Sequence, residues 1–310
     1  MDQPPPVSPH DDRKVGTFSA IDTSFLAAAG FMALGTLLFT GSHGIVRWVG
    51  SGMHPLMMAF LSNLFSALFF VPWILRRGFR VMHTRRFPLH ALRAMFNVAS
   101  ISCWYWALSL TPLADATALS ATAPLFATLG AVLILGEPMK IQRWLALMVG
   151  LTGALIIVNP VFAEFSTGYI FVLGSCIFSS GSRIIAKKLS ATDSPLACSA
   201  YVAMLQTPFS FVFALFVWTT PGAVQLGAMM IVGIMVALAQ FLTVESFRTA
   251  EIGAVESFNY LRLVWAAIIG YVAFGEISGA STWIGAAVIV IATTFILRRE
   301  AKAKRATAQP

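Results

Sequence analysis

Long apolar runs separated by short polar segments recur along the whole chain. The runs are continuous rather than alternating, which is typical of membrane-spanning helices and not of barrel strands. Since a span needs about 20 apolar residues, the pattern predicts ten spans, numbered here one to ten. They lie near 24–46, 55–75, 88–110, 115–135, 141–159, 168–186, 195–218, 226–247, 252–274 and 280–297. We therefore expect an all-α integral membrane protein with ten transmembrane helices.

Basic residues gather in the tails and in every second connection between these spans. All but three of the 21 Lys and Arg residues lie there, and cytoplasmic segments of membrane proteins carry such an excess. The pattern predicts that both termini are cytoplasmic. The exceptions are Arg47 at the outer end of span one, Arg93 near the inner end of span three and Arg262 within span nine.

Composition supports a membrane protein and excludes several other classes. Charged residues make up 11% of the chain, against about a quarter in soluble domains. The net charge of +8 does not indicate a nucleic-acid partner, because the basic residues form no soluble surface with interleaved aromatic residues. No His or Cys spacing typical of a metal site occurs. We expect no catalytic residues, no metal and no cofactor.

The second half of the chain repeats features of the first half at a nearly constant offset. At 139 or 140 residues, the matching pairs are Gly41-Ser42 with Gly181-Ser182, Arg47 with Lys187, and Gly136-Glu137 with Gly275-Glu276. The chain therefore reads as two tandem repeats of five spans. Because five is odd, the second repeat enters the membrane in the opposite sense to the first.

This pattern predicts the domain organisation. We expect a disordered cytoplasmic tail at 1–23, a first repeat at 24–160, a second repeat at 168–298 and a basic cytoplasmic tail at 299–310. Inverted repeats can exchange conformations about an axis in the membrane plane, with the solute near the midplane where the repeats meet. The repeats therefore predict a secondary transporter that works by alternating access.

A run in the first repeat, "LRAMFNVASISCWYWALSLTPLADATALSATAPLFATLGAVLILGEPMKIQRWLALMVGLTGALIIV", carries a family resemblance. Leu-Arg-Ala opens span three, span four contains small residues and Pro124, and Gly136-Glu137 follows it. In these features the chain resembles the EamA-type repeat of the drug/metabolite transporter superfamily. The resemblance implies ten spans around a cavity, transport of small organic solutes and a bacterial inner-membrane location. The run "SFNYLRLVWAAIIGYVAFGE" is similar to carriers of riboflavin or S-adenosylmethionine, which implies a vitamin-like or nucleoside-like solute.

Polar residues inside spans are costly and usually face the interior of the bundle. The substrate-binding candidates are polar or aromatic residues of spans three, four, eight and nine: Arg93, Asn97, Ser100, Trp104, Thr117, Ser120, Gln240, Glu256, Asn259 and Tyr260. A cation, an amide, a hydroxyl and an indole along one groove suit a flat organic ligand. His43 and Arg183, at matching depths of spans one and six, are candidates for a gate. Arg262 is left out, because it points away from Glu256 on a regular α-helix.

Each candidate also has a purely structural interpretation. Arg93 can extend to the inner membrane surface, Trp104 can belong to the outer aromatic belt, and Asn97 and Asn259 can join neighbouring helices. Glu256 is the sharpest candidate, since a carboxylate within a span either pairs with a cation or binds a proton. It would neutralise a cationic solute or Arg93, carry a coupling proton, or hold spans three and nine together as an ion pair.

Other functions fit the sequence less well. A membrane-embedded enzyme needs a converging nucleophile and base or a metal cluster, and the five histidines are scattered. A channel needs a ring of like charge or a filter of carbonyls, and neither is evident. ATP does not drive the transport, because no GxxxxGK[ST] motif occurs. Within the transporter class, an exporter of amino acids, amines or drugs is the alternative.

Overall fold

A computed structural model describes residues 23–77, 84, 86–135, 141–158, 166–189, 193, 195–249 and 256–307. Within these ranges the chain forms helices and no strand. The α-helices are α1 (Thr23–Val49), α2 (Pro55–Arg77), α3 (Phe87–Leu110), α4 (Leu113–Ser120), α5 (Ala123–Leu135), α6 (Ile141–Val158), α7 (Thr167–Leu189), α8 (Pro195–Leu215), α9 (Ala223–Thr249), α10 (Leu261–Phe274) and α11 (Ala280–Thr307). A 3₁₀-helix (Glu256–Tyr260) leads directly into α10.

Each of the ten predicted spans is occupied by helix, although two spans are built from two pieces. Span four consists of α4 and α5, and span nine consists of the 3₁₀-helix and α10. The last helix continues to Thr307, so most of the predicted C-terminal tail is helical. The predicted N-terminal tail lies outside the described residues, apart from Thr23 at the start of α1.

Three of the described helices are long and apolar enough to cross a membrane by length and composition. They contain the stretches Leu26–Val49, Thr167–Ala186 and Ala223–Thr243. Shorter apolar helical stretches are Pro55–Phe69, Leu147–Val158, Tyr201–Leu215, Phe258–Phe274 and Ala280–Ala292. The hydropathy of the helices therefore agrees with a multi-span arrangement.

The boundary between α3 and α4 follows from a proline. A residue before proline is restricted to extended backbone, and Thr111, which precedes Pro112, has φ −133° and ψ 145°. The chain consequently leaves the helical conformation after Leu110 and starts a new helix at Leu113. This turn places the ends of two helices side by side.

A second proline interrupts span four. The ring of a proline clashes with the carbonyl of the residue four positions earlier, and for Pro124 that residue is Ser120, where α4 ends. Helix α7 supplies partners for the carbonyl groups freed at the break. Ser180 Oγ donates to the carbonyl oxygen of Ala123 at 3.0 Å, and Cys176 Sγ lies 3.7 Å from that of Ser120. The break therefore leaves these polar backbone groups satisfied.

Span nine changes its helical geometry at the equivalent position of the second repeat. The break in span four falls at Ala121 and Thr122, and the change from 3₁₀- to α-helix falls between Tyr260 and Leu261. The two positions are 139 residues apart, which is the offset of the sequence repeat. Each repeat thus carries one interrupted helix at the same place.

The Gly-Glu pair of the second repeat joins four helix ends. Gly275 ends α10 with φ +66°, a conformation that favours glycine. This turn aims Glu276, whose Oε2 accepts a hydrogen bond from the backbone N–H of Leu113 at 3.0 Å. Glu276 also forms an ion pair with Arg47 of α1, and Arg47 Nη1 donates to the carbonyl oxygens of Leu108 and Thr111. The pair therefore ties α10 to α1, α3 and α4.

Helices α6 and α11 cross in close contact at two glycines. A Cβ added to Gly285 would lie 2.5 Å from the carbonyl oxygen of Gly153, and one added to Gly153 would lie 2.9 Å from that of Gly285. Small residues at helix crossings allow backbones to approach closely in membrane proteins. The glycines of span five thus serve packing.

This crossing predicts opposite effects for two glycine substitutions. Alanine at a helical glycine gains about 1 kcal/mol of helix propensity, so Gly227→Ala in α9, where a Cβ would meet nothing within 4 Å, should keep or raise the melting temperature. Gly285→Ala forces the α6 and α11 backbones apart, at a cost of about 1–3 kcal/mol, and should lower it. Thermal unfolding of the detergent-purified variants measures both, and equal melting temperatures would contradict the crossing.

Candidate functional site

One face of α1 forms the seam where the two repeats meet. Phe39, His43 and Arg47 are spaced four residues apart and therefore share this face. The His43 ring makes an edge contact with Phe39, with ring centroids 4.5 Å apart. His43 is buried, so a polar ring lies inside the seam. Each of the three side chains contacts a residue from another helix.

Arg262 of α10 reaches this seam. Its guanidinium carbon lies 4.5 Å from the centroid of the Phe39 ring, within the range of a cation–π contact. The charge of Arg262 also acts on His43. Arg262 is twelve residues before the end of α10 at Phe274, or about 18 Å by helical rise. A basic side chain is thus held about halfway through a hydrocarbon layer of about 30 Å.

Trp104 of α3 covers His43 from the other side. The two ring centroids are 5.1 Å apart at an angle of 60°. The indole Nε1 of Trp104 is buried and has no hydrogen-bond partner among the described residues. The same holds for Nε1 of Trp265 and for Oγ1 of Thr117, which ends one turn before the break in span four. Buried polar atoms normally have partners, so these three atoms indicate places where a bound molecule could supply them.

Two predicted binding residues use their hydroxyl groups within the protein. Ser100 is buried and its Oγ donates to the carbonyl oxygen of Ser175 on α7 at 3.0 Å. Ser120 Oγ donates to the carbonyl oxygen of Thr117 at 2.8 Å. These contacts join α3 to α7 and close the last turn of α4. Both hydroxyl groups therefore serve the fold in the observed conformation.

The remaining candidates are distributed around the bundle. Arg93 and Asn97 are half-buried on α3, and Asn259 and Tyr260 are half-buried where span nine changes its geometry. Gln240 on α9 and Arg183 on α7 are exposed. The side chain of Glu256 lies outside the described residues. The structure therefore brings His43 and Trp104 together, whereas His43 is buried and its counterpart Arg183 is exposed.

The start of span nine departs from the regular α-helix assumed for the face of Glu256. Residues 256–260 form a 3₁₀-helix, which turns about 120° per residue instead of about 100°. Along this backbone, position 262 falls within roughly 40° of position 256, instead of about 120° away. Arg262 was set aside on the regular geometry. Its omission follows from the irregular start of span nine, which the apolar pattern does not reveal.

A junction at the opposite end of the bundle was also absent from the sequence expectations. His90 of α3 is fully buried, and its Nε2 lies 2.7 Å from Asp193 Oδ2. Thr84 Oγ1 donates to the same oxygen at 2.6 Å, and the Tyr201 ring of α8 stacks on His90 at 4.4 Å. Both repeats contribute to this contact. It lies at the end of the bundle that holds the basic connections.

The opposite ends of the helices, where Arg47 meets Glu276, are closely packed. Asp115 at the start of α4 accepts a hydrogen bond from Thr282 Oγ1 at 2.7 Å and another from the Tyr169 hydroxyl at 3.4 Å. A crevice beside these contacts, lined by Leu263 and Trp283, has a volume of about 10 Å³. That volume is no larger than the space for a single water molecule. This end therefore offers no room for an organic solute in the observed conformation.

Comparison with known proteins places the chain among transporters. The sequence profile described as "EamA-like transporter family" matches residues 26–159 and again residues 166–298. The two matches together cover most of the chain. A crystal structure of a protein superposes with a TM-score of 0.59 at 18% identity, over 88% of this chain and 98% of its own. At that identity the superposition shows the fold alone.

Curated relatives match nearly end to end. A "Riboflavin transporter" of Vibrio cholerae is 32% identical over 82% of this chain and 86% of its own length. An "S-adenosylmethionine uptake transporter" of Rickettsia bellii is 29% identical over 88% and 94%. A "Pseudopaline exporter CntI" of Pseudomonas aeruginosa is 22% identical over 86% and 94%. The relatives are named for transport and not for catalysis.

The hydrogen bonds at the site predict that two hydroxyl deletions differ in stability. Thr117→Val keeps the shape and removes a hydroxyl that lacks a partner among the described residues, so the free energy of unfolding should stay constant or rise by up to about 1 kcal/mol. Ser100→Ala removes the bond to Ser175 and should lower it by about 1 kcal/mol. Chemical unfolding in detergent compares the two, and equal destabilisation would contradict the assignment.

Proposed function

The chain belongs to the EamA-like transporter family, and on that premise we propose that it moves a small organic metabolite across the bacterial inner membrane by alternating access. The family and its relatives make the chain a transporter rather than an enzyme. The proposed solute is vitamin-like or nucleoside-like, with riboflavin and S-adenosylmethionine as the two representatives that the relatives suggest. The chain would span the membrane ten times with both termini in the cytoplasm.

The observation that carries this proposal is the pair of interrupted helices. Irregular backbone at membrane depth is tolerated only where it is buried in protein or lines a cavity. Interrupted helices at corresponding positions of two repeats mark the solute site in secondary transporters. Here the interruptions lie in spans four and nine at the repeat offset of 139 residues. Thr117, Asn259 and Tyr260 lie beside them, within one turn.

The seam of α1 supports the same location for the solute. It borders both interrupted spans and holds the His43 and Trp104 pair. We place Arg93, Asn97, Asn259, Tyr260 and Glu256 along this path as further contacts, with Glu256 as the acceptor of a coupling proton or the partner of Arg93. His43 lies within the solute path itself. Arg183, exposed on α7, is the weaker of the two gate candidates.

Alternating access also needs contacts that close one side at a time. The ion pair between Arg47 and Glu276 joins the first repeat to the second at one end of the bundle. The contact between His90 and Asp193 joins them at the opposite end. In the proposed cycle the first contact closes the outer side and the second closes the cytoplasmic side. The two repeats would face the membrane in opposite senses.

A second candidate function is export of an amino-acid-like or amine-like compound. It rests on the similarity to the pseudopaline exporter, which matches 86% of this chain. Relatives named for uptake and for export share the same fold length. The direction of net flux therefore has to be measured on this chain.

The proposal predicts counterflow in proteoliposomes. Vesicles preloaded with unlabelled riboflavin or S-adenosylmethionine should accumulate the same labelled solute transiently, because a carrier trades label against unlabelled solute. Protein-free vesicles are the control. Equal label uptake by preloaded and empty vesicles would indicate a channel, and absence of exchange for every solute tested, including amino acids and amines, would contradict a carrier.

The proposal also predicts a role for the Trp104 indole in solute binding. Trp104→Phe keeps an aromatic ring and removes the buried N–H donor, so solute affinity should fall roughly three- to tenfold. The matched control is Trp144→Phe on α6, where the side chain is 44% exposed and affinity should not change. Ligand-induced shifts in melting temperature report both affinities. Equal affinities of the two variants would remove Trp104 from the site.

A further inference from the structure

The strongest unassigned feature of the seam is the basic side chain at its centre. Arg262 sits about 18 Å by helical rise from the outer end of α10, with its guanidinium 4.5 Å from the Phe39 ring. An arginine at this depth of a membrane is expensive and usually marks the solute path. Arg262 faces α1 rather than the outside of the bundle. Its position therefore calls for a functional explanation.

The surroundings of Arg262 form a site with flat walls. Phe39 packs against its guanidinium, and the rings of Phe39, His43 and Trp104 follow one another with centroid distances of 4.5 and 5.1 Å. A guanidinium is planar, stacks on aromatic faces and recognises acceptor atoms in its own plane. Aromatic rings in sequence offer stacking surface to a flat molecule. The geometry therefore suits a fused heterocycle with acceptor atoms on its rim.

The electrostatic potential at this point is positive. The charge of Arg262 acts on the neighbouring His43. Helix α10 begins at Leu261, and its N-cap residue Tyr260 makes no side-chain capping bond. A helix N-terminus adds partial positive charge, and charges interact more strongly in a dry interior than in water. A solute with a permanent positive charge would therefore be repelled here.

We propose that Arg262, together with Phe39, His43 and Trp104, determines solute specificity. The site selects flat heteroaromatic solutes that are rich in hydrogen-bond acceptors and carry no positive charge. This inference rests on the proposed transport function and its location at the seam. Of the two solute types that the relatives suggest, it favours the neutral flavin over the sulfonium cation.

Glu256 makes the opposite result a real possibility that the experiment decides. This residue belongs to the 3₁₀-helix directly before α10, and its side chain lies outside the described residues. A carboxylate that governs the site would favour a cationic solute. The sign of the charge preference therefore distinguishes control by Arg262 from control by Glu256.

The first measurement compares ligands on the unmodified protein. S-adenosylmethionine and S-adenosylhomocysteine share one skeleton and differ by the methyl group that gives the sulfonium its positive charge. In competition with labelled riboflavin, the uncharged thioether should bind at least about tenfold more tightly than the sulfonium, because a like charge about 6 Å from Arg262 is strongly unfavourable at protein dielectric constants. Detergent-purified protein and full-length chain are used throughout.

The second measurement tests whether Arg262 causes this preference. Arg262→Gln should bring the two adenosyl compounds to within about threefold of each other and weaken riboflavin binding about tenfold. Arg262→Lys keeps the charge and loses the planar fork, so it should retain the discrimination and still weaken riboflavin binding. The matched control is Lys188→Gln, an exposed residue at the end of α7, which should behave like the unmodified protein.

Each outcome has a defined meaning. Tighter binding of the sulfonium than of the thioether would overturn the inference, as would unchanged discrimination in a folded Arg262→Gln protein. Should that variant fail to fold, the ligand ranking of the unmodified protein and of Arg262→Lys still decides. Counterflow of amines or amino acids without binding of any flavin or adenosyl compound would overturn the inference and leave transport intact. Absence of all counterflow would overturn the proposed function itself.

Discussion

The structure depends on one constraint, that backbone amide and carbonyl groups inside a hydrocarbon layer need partners within the protein. Continuous helices meet this requirement without help, which is why every predicted span is helical. The break at Pro124 does not meet it alone. Side chains of α7, among them Ser180 and Cys176, bind the carbonyl groups that the break releases. An interruption is therefore possible only where a second helix packs against it, and this fixes the position of α7 beside span four.

The same constraint explains how few polar contacts hold the two repeats together. Apolar side chains gain little from leaving lipid for another apolar surface, so helices associate through close packing and a small number of polar bonds. Gly153 and Gly285 provide the close packing between α6 and α11. Arg47 and Glu276 provide polar bonds that join four helix ends. The Gly-Glu pair of the second repeat is thus a structural joint, in which Gly275 turns the chain and Glu276 caps α4.

The joint also clarifies what the repeat does in the first half. Glu276 pairs with a basic residue, as expected, but the helix it caps is α4 of the other repeat and not the helix that follows it. A contact between repeats can be made and broken as the repeats move, whereas a contact within one repeat cannot serve that purpose. The ion pair therefore has the placement that the proposed cycle requires. Its counterpart Glu137 lies outside the described residues.

The sequence by itself determined the helical fold, the number of apolar segments and the tandem repeat, because these depend on local hydropathy and on residue identity at a fixed spacing. It also indicated Trp104 and Thr117, whose polar atoms lie buried without partners among the described residues. It did not reveal the 3₁₀-helix at Glu256–Tyr260, since no periodicity separates 3₁₀- from α-helix over five residues. Only the tertiary structure decided that Arg262 meets Phe39 and that Ser100 binds Ser175. Such contacts join residues distant along the chain, and their partners are chosen by helix packing rather than by local pattern.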